Sequence, residues 1–242
     1  MVDDFEALDR RPLYARVADG ILKMVSDQGL RPGDELPSEA DLCSRADVSR
    51  VVVRGALAHL AGAGHIMISN GRKAQVKEIN PDVLTNTFSH GLATSQFSVS
   101  KVLEVRQGIE TSTAALAAEN RTEAQADQLI SLCDQMEREV GAPQAFADLD
   151  YRFHLAIAEA TGNPLYVYIV KPLREIIKHS ITVGRLAQSS DADQTRILRD
   201  HRAIQSAIFR GDSKAAAEAM QAHFSAAGLA LSHHQQDQNN DP

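Results

Sequence analysis

The hydrophobic period of this chain changes abruptly near residue 64, and that change restricts the fold more than any other feature. Leu13, Val17, Ile21, Leu22 and Val25 recur at helical spacing, which predicts a helix over 13–27 that stops at Gly29. Leu30-Arg31-Pro32-Gly33-Asp34 must turn, and Ser38 stands where it would cap a second short helix ending near Ala46. Asp47-Val48-Ser49 leaves only a tight connection before a third helix to about Ala63, with Ser49 as its candidate cap. From Gly64 the period drops to two. Ile66 and Ile68 alternate, Asn70-Gly71 is a strong hairpin turn, and Val76 closes a second strand. Closely spaced short helices followed by a hairpin predict a winged helix-turn-helix.

Asn80-Pro81 breaks the chain, and residues 78–98 read as a linker with a short helix around Val83–Leu92. From Val99 onward the pattern is helical. Lys101–Asn120 is Ala-rich, and Thr122 caps a helix to about Val140. Ala142-Pro143 interrupts, then Phe146–Thr161 runs until Gly162-Asn163-Pro164. Leu165 to about Leu186 is the next helix, with Pro172 as a bend, and Gln188–Asp193 is a polar loop. Thr195–Arg210 ends at Gly211, and Asp212 caps a last helix to about Leu231. Aromatics are 5% and Trp is absent, so Ala, Leu and Ile must build the core, which favours helix packing over a β-sandwich. The expected fold is mostly α. A winged helix spans 10–77, a linker 78–98, and an antiparallel all-α bundle 99–231.

No apolar run approaches the ~18–20 residues of a membrane span. The acidic start, MVDDFEALDRRPLY, is not a secretory signal. Cys43 and Cys133 are far apart and read as buried thiols of a reducing cytoplasm. The net charge is −7, which by itself argues against a nucleic-acid partner. Its distribution argues the other way: Ser49 to Lys77 holds five basic residues and no acidic one. Arg50 and Arg54 share one face of the third helix, whose N-terminal turn would meet base edges, and Ser49 could add a phosphate contact. Arg72 and Lys73 sit at the hairpin tip, which suits a wing lying along a groove.

A second cluster lies in the helical part. Asp150 and His154 are four residues apart, hence on one helix face, and His201 and His223 fall on two later helices. One Asp and three His could converge on Zn(II), Ni(II) or Mn(II) with positions left open for a ligand. Spacing leaves the alternative standing, because such pairs arise by chance and a lone His is usually structural or exposed.

The motifs extend the reading. Leu30 to Glu39 (LRPGDELPSE), Val48-Ser49-Arg50 and Val53-Arg54-Gly55-Ala56-Leu57 together resemble the DNA-binding domain of GntR-family regulators. The resemblance implies a winged helix that binds double-stranded DNA as a homodimer on a palindromic operator. It adds Gly71 to Ser49, Arg50 and Arg54 as DNA contacts. Ala40 stands where many members have Arg, and Val51 where many have a small polar residue. Leu103-Glu104-Val105-Arg106, Ile109-Glu110, Phe153-His154, Gly162-Asn163-Pro164 and Asp200-His201-Arg202 look like the FCD ligand-binding domain of the FadR subgroup. That resemblance implies a divalent metal on Asp150, His154, His201 and His223. It also implies a small carboxylate effector near Arg106, whose alternative role is an ion pair with Glu104 or Glu110. The expected protein is a transcriptional regulator, a repressor released by its effector, and not an enzyme. A metal-dependent hydrolase and a regulator that senses the metal itself are the rival readings.

Overall fold

A computed structural model describes residues 11–69, 72–176 and 190–225. The chain divides into two compact units, Met1–Val83 and Leu84–Pro242.

The first unit carries α1 (Leu13–Asp27), α2 (Glu39–Ala46), α3 (Arg50–Gly62), β1 (Ile66–Met67) and β2 (Gln75–Val76). Ser38 and Asp41 form a reciprocal capping box that starts α2. The helix ends on Asp47, whose left-handed backbone (φ 50°) turns the chain within a few residues. Ser49 occupies the N-cap position of α3, but its hydroxyl makes no capping hydrogen bond, contrary to the sequence expectation. Leu36, Val53, Ala56, Leu60 and Ile66 are the fully buried centre of this unit. The hairpin is shorter than the alternation suggests. Only Ile66↔Val76 and Met67↔Gln75 pair, and Ile68 lies outside the ladder, half exposed. In compensation, the segment read as a turn adds an edge to β2. Gly33 N–H donates to Val76 O, Val76 N–H to Asp34 O, and Leu36 N–H to Ala74 O. The Asn70-Gly71 turn falls outside the described residues.

The second core gathers helices from α4 (Asp82–Ala93) onward. Phe88, Leu92 and Phe97, from the stretch read as a linker, pack against that core. Phe97 lies so close to Gly91 that a Cβ there would stand 2.3 Å from the ring. α5 spans Val99–Asn120, α6 Glu123–Arg138, α7 Pro143–Ala160, α8 Pro164–Glu175 and α9 Asp191–Arg210. A further helix, α10, covers 213–225. α7 is central and packs against α5, α6 and α8, while α9 packs against α5 and α6. Phe146, Phe153, Ile157, Ile204, Ile208 and Met220 fill the space between them.

Three helix starts differ in detail from the pattern reading. Pro143 opens α7 instead of interrupting a helix, because its missing N–H costs nothing at the first helical position. Asn163 caps α8, with Pro164 next. Ser190 and Asp193 form a capping box, so α9 begins at Asp191 within the stretch read as a loop. The continuation of α8 toward Leu186 and of α10 toward Leu231 lies outside the described residues. At the other end of α9, Gly211 is left-handed (φ 73°), and the Arg121 guanidinium donates to the carbonyls of Ile208 (2.9 Å) and Phe209 (2.8 Å). Those are carbonyls that a helix C-terminus leaves without an intrahelical partner. Among the described residues, no helix is long and apolar enough to cross a membrane.

Candidate metal centre and nucleic-acid interface

α7 points Asp150 and His154 inward from one face, α9 supplies His201, and α10 supplies His223. Their ligating atoms all lie within 4.8 Å of one another. The ring centroids of His154, His201 and His223 are 4.7–5.7 Å apart. A transition metal takes His N and carboxylate O at about 2.0–2.2 Å, so opposite ligands stand roughly 4.2 Å apart. The widest separation in the cluster can exceed that span by no more than about 0.6 Å.

The protons of the cluster leave room for a cation. His201 Nδ1 lies 2.8 Å from the Ile197 carbonyl oxygen, which only accepts, so Nδ1 carries the hydrogen. Nε2 faces Asp150 Oδ1 at 3.0 Å. A ring nitrogen and a carboxylate oxygen at that distance share a proton or a metal ion. His154 is fully buried, and its Nε2 has no hydrogen-bond partner among the described residues. Its Nδ1 is 2.8 Å from Glu110 Oε2, at an angle too poor for a good hydrogen bond. Burial first, and the Arg174 charge second, push its pKa down to about 4, so the ring is neutral and free to ligate. His223 is pushed well below the ordinary histidine range by burial and by His201. One carboxylate and three imidazoles are a donor set that borderline divalent metals accept.

Two buried arginines hold the surroundings in place. Arg106 Nε donates to Glu110 Oε1 at 2.7 Å, and its guanidinium lies 5.1 Å from the Phe224 ring centre. Arg174, from α8, bridges Glu110 Oε2 (3.1 Å) and Asp150 Oδ2 (2.9 Å). Burial alone would raise the pKa of both carboxylates. Arg106 and Arg174 hold Glu110 well below its usual range, and Arg174 with His201 does the same for Asp150. The two carboxylates and two guanidiniums therefore cancel in charge before any metal is counted. Arg106 takes Glu110 as its partner, while Glu104 pairs with Lys101 on the surface. Arg174 carries no signal in the sequence: an arginine in an amphipathic helix is ordinarily exposed.

The other sequence-derived candidates lie in the first unit. Ser49, Arg50 and Arg54 are exposed on the first turns of α3. Arg54 Nε donates to Glu39 Oε2 of α2 at 2.9 Å. Arg72 is exposed, and Lys73 Nζ lies 3.5 Å from Glu35 Oε2. Gly71 lies outside the described residues.

Comparison with known proteins covers both units. Residues 13–76 match the model of the bacterial regulatory proteins of the gntR family, and residues 101–226 match the FCD domain. The HTH-type transcriptional regulator LutR of Bacillus subtilis is 30% identical over 207 residues, spanning 83% of this chain and 93% of the relative. The Glc operon transcriptional activator of Escherichia coli K12 is 30% identical over 210 residues, 84% of this chain and 82% of the relative. The transcriptional repressor NanR of E. coli K12 is 29% identical over 224 residues, 90% of this chain and 83% of the relative. Among solved structures, Streptococcus agalactiae GntR superposes with a TM-score of 0.67 at 25% identity, covering 89% of this chain and 99% of that one.

Proposed function

We propose, from the premise that this chain belongs to the GntR family of bacterial regulatory proteins and carries an FCD domain, that a small carboxylic acid bound at a metal centre controls its hold on DNA. The chain is a DNA-binding transcriptional regulator and not an enzyme, as its relatives are regulators. The metal would be held by Asp150, His154, His201 and His223. When bound, it would act as a Lewis acid that fixes an anionic ligand at its open positions.

One observation carries the choice of effector. The buried charges of Glu110, Asp150, Arg106 and Arg174 already cancel. A divalent ion added to neutral imidazoles leaves the site with an excess of about two positive charges in a low-dielectric interior. An anion that also chelates the ion relieves that excess, and a carboxylate does both. Arg106 and Arg174 stand within the same cluster, where guanidinium geometry favours carboxylates. Arg106 would meet the effector only by sharing or releasing Glu110.

On the DNA side, Arg50 and Arg54 would read base edges. Ser49, Gly71, Arg72 and Lys73 would hold the backbone or the groove. The active species would be a homodimer on a palindromic operator, in the cytoplasm where the DNA lies, and binding would repress. The effector shifts DNA affinity only by its preference between two states of the protein.

The test uses metal-loaded and EDTA-stripped protein against a panel of mono-, di- and hydroxycarboxylic acids. Thermal stabilisation by an acid is expected in the loaded protein and lost in stripped protein and in His154→Ala. The same acid should release a DNA fragment from the chain's own upstream region in a gel shift. Equal stabilisation with and without metal would sink the metal-held effector. Release of DNA on metal addition alone would favour direct metal sensing.

A further inference from the structure

α3 presents an apolar side chain where a DNA-reading helix would meet base edges. Val51 is 81% exposed, the highest exposure of any large hydrophobic residue described. It lies between Ser49-Arg50 and Arg54 on the exposed side of the helix, opposite Val53 in the core. Arg50, Val51, Arg54 and Ala58 are all exposed, and positions three and four apart share one face. That face carries cations flanking a branched hydrocarbon. The buried residues Val53, Ala56, Leu57 and Leu60 already complete the hydrophobic stripe of α3. Val51 therefore contributes nothing to the core of its unit, and its methyl groups stand in water.

We propose that Val51 is a specificity-determining residue that packs on the 5-methyl group of a thymine in the operator. The inference rests on the reading of α3 as the DNA-contacting helix. In the major groove only thymine offers a methyl group, and apolar side chains recognise it by contact. Arg50 and Arg54 on the same face would address the guanine-type acceptors and phosphates around it. A valine offers a base edge no hydrogen bond, so methyl contact is the readout left to it. The operator half-site would then hold a thymine beside the base pair addressed by Arg50.

The experiment takes the full-length protein and a pool of duplexes randomised at the centre. Bound duplexes are enriched, and in the best of them each thymine is replaced singly by deoxyuridine, which removes only the methyl. One thymine per half-site should show a loss of about fourfold in affinity, the worth of one buried methyl. In Val51→Ala that loss should vanish, with the methylated and unmethylated duplexes bound equally. Val51→Ile should keep the preference. If no thymine is sensitive in the wild-type protein, or if Val51→Ala keeps the full penalty, the contact does not exist. If no sequence is enriched, or Arg50→Ala binds the enriched duplex as well as wild type does, the DNA-reading role of α3 falls, and the Val51 contact with it.

Discussion

His201 faces Asp150 across 3.0 Å through Nε2, while its Nδ1 is held 2.8 Å from the Ile197 carbonyl oxygen. The pair is set up for a cation between its atoms. Divalent ions should therefore stabilise the protein: at one hundred times Kd the gain is about 2.7 kcal/mol. Thermal unfolding with and without Zn(II), Ni(II) or Mn(II) measures it. His201→Ala and His154→Ala should lose the metal-dependent part, and an unchanged shift in both would place the ion elsewhere.

Arg174 ties two helices to one charge. It reaches Glu110 on α5 and Asp150 on α7 from its place on α8. Arg174→Met should cost about 3–5 kcal/mol in metal-free protein, since it strands buried negative charge. Metal should restore part of that loss by giving Asp150 a new cation. Urea denaturation of both forms reads the difference, and a cost below about 1 kcal/mol would mean that Arg106 alone neutralises the cluster.

Acid should weaken the metal-free fold. His154 titrates near 4 in the native state, against an ordinary 6.5 in the unfolded chain. Between those values the unfolded state binds more protons, so stability rises with pH and is lost as pH falls from 6.5 toward 4. The full loss would be about 3 kcal/mol from this residue. Glu110 and Asp150 are depressed, so what they contribute is present above their unfolded values and disappears only below pH 4. Denaturation in EDTA at pH 7.5 and 5.0 should show the drop, and His154→Gln should reduce it, the remainder coming from His223, which is depressed as well.

Binding of the enriched duplex should separate helix from wing. Arg50→Ala should cost about 1–3 kcal/mol and relax base preference. Arg72→Ala with Lys73→Ala should weaken all sequences alike and reduce the salt slope by about two. Glu39→Gln tests the Arg54 contact, since an exposed pair adds less than about 1 kcal/mol to stability, yet it orients a candidate DNA-binding guanidinium. Operator affinity should fall while unfolding stays within that margin.

Gly91 has no room for a side chain, because the Phe97 ring occupies the place of its Cβ. Gly91→Ala should force the ring aside and cost about 1–3 kcal/mol by overpacking. Chemical denaturation tests it. A neutral result would mean that Phe97 swings away without loss.

Much of this architecture could be read from local chemistry. Ser38, Thr122 and Asp212 cap helices as their residue types suggest, since a cap needs only a side-chain oxygen and the next turn of backbone. Pro143 and Ser190 were harder, because the same residues serve in loops and in first turns, and only packing decides which. The edge added by residues 33–36 joins segments about forty residues apart, which no local pattern encodes. Within the centre, the spacing of Asp150 and His154 showed a shared face. Their meeting with His201 and His223 depends on how three helices cross. Arg174 and the burial of Glu110 stayed invisible for the same reason: a charged residue declares its burial only once its partners are in place.

Arg121 grips the carbonyls of Ile208 and Phe209 at the end of α9, while His201 sits near the middle of that helix. Beside His201, Arg202 is tied to Asp134 and Glu137 of α6, so α9 is anchored at its middle as well as at its end. Sub-ångström contraction at His201, on metal or effector binding, cannot slide the whole rod along its axis. The displacement would be shared with α6 through Arg202 rather than taken up by α9 alone. Occupancy of the centre would in this way be felt at the α6 surface.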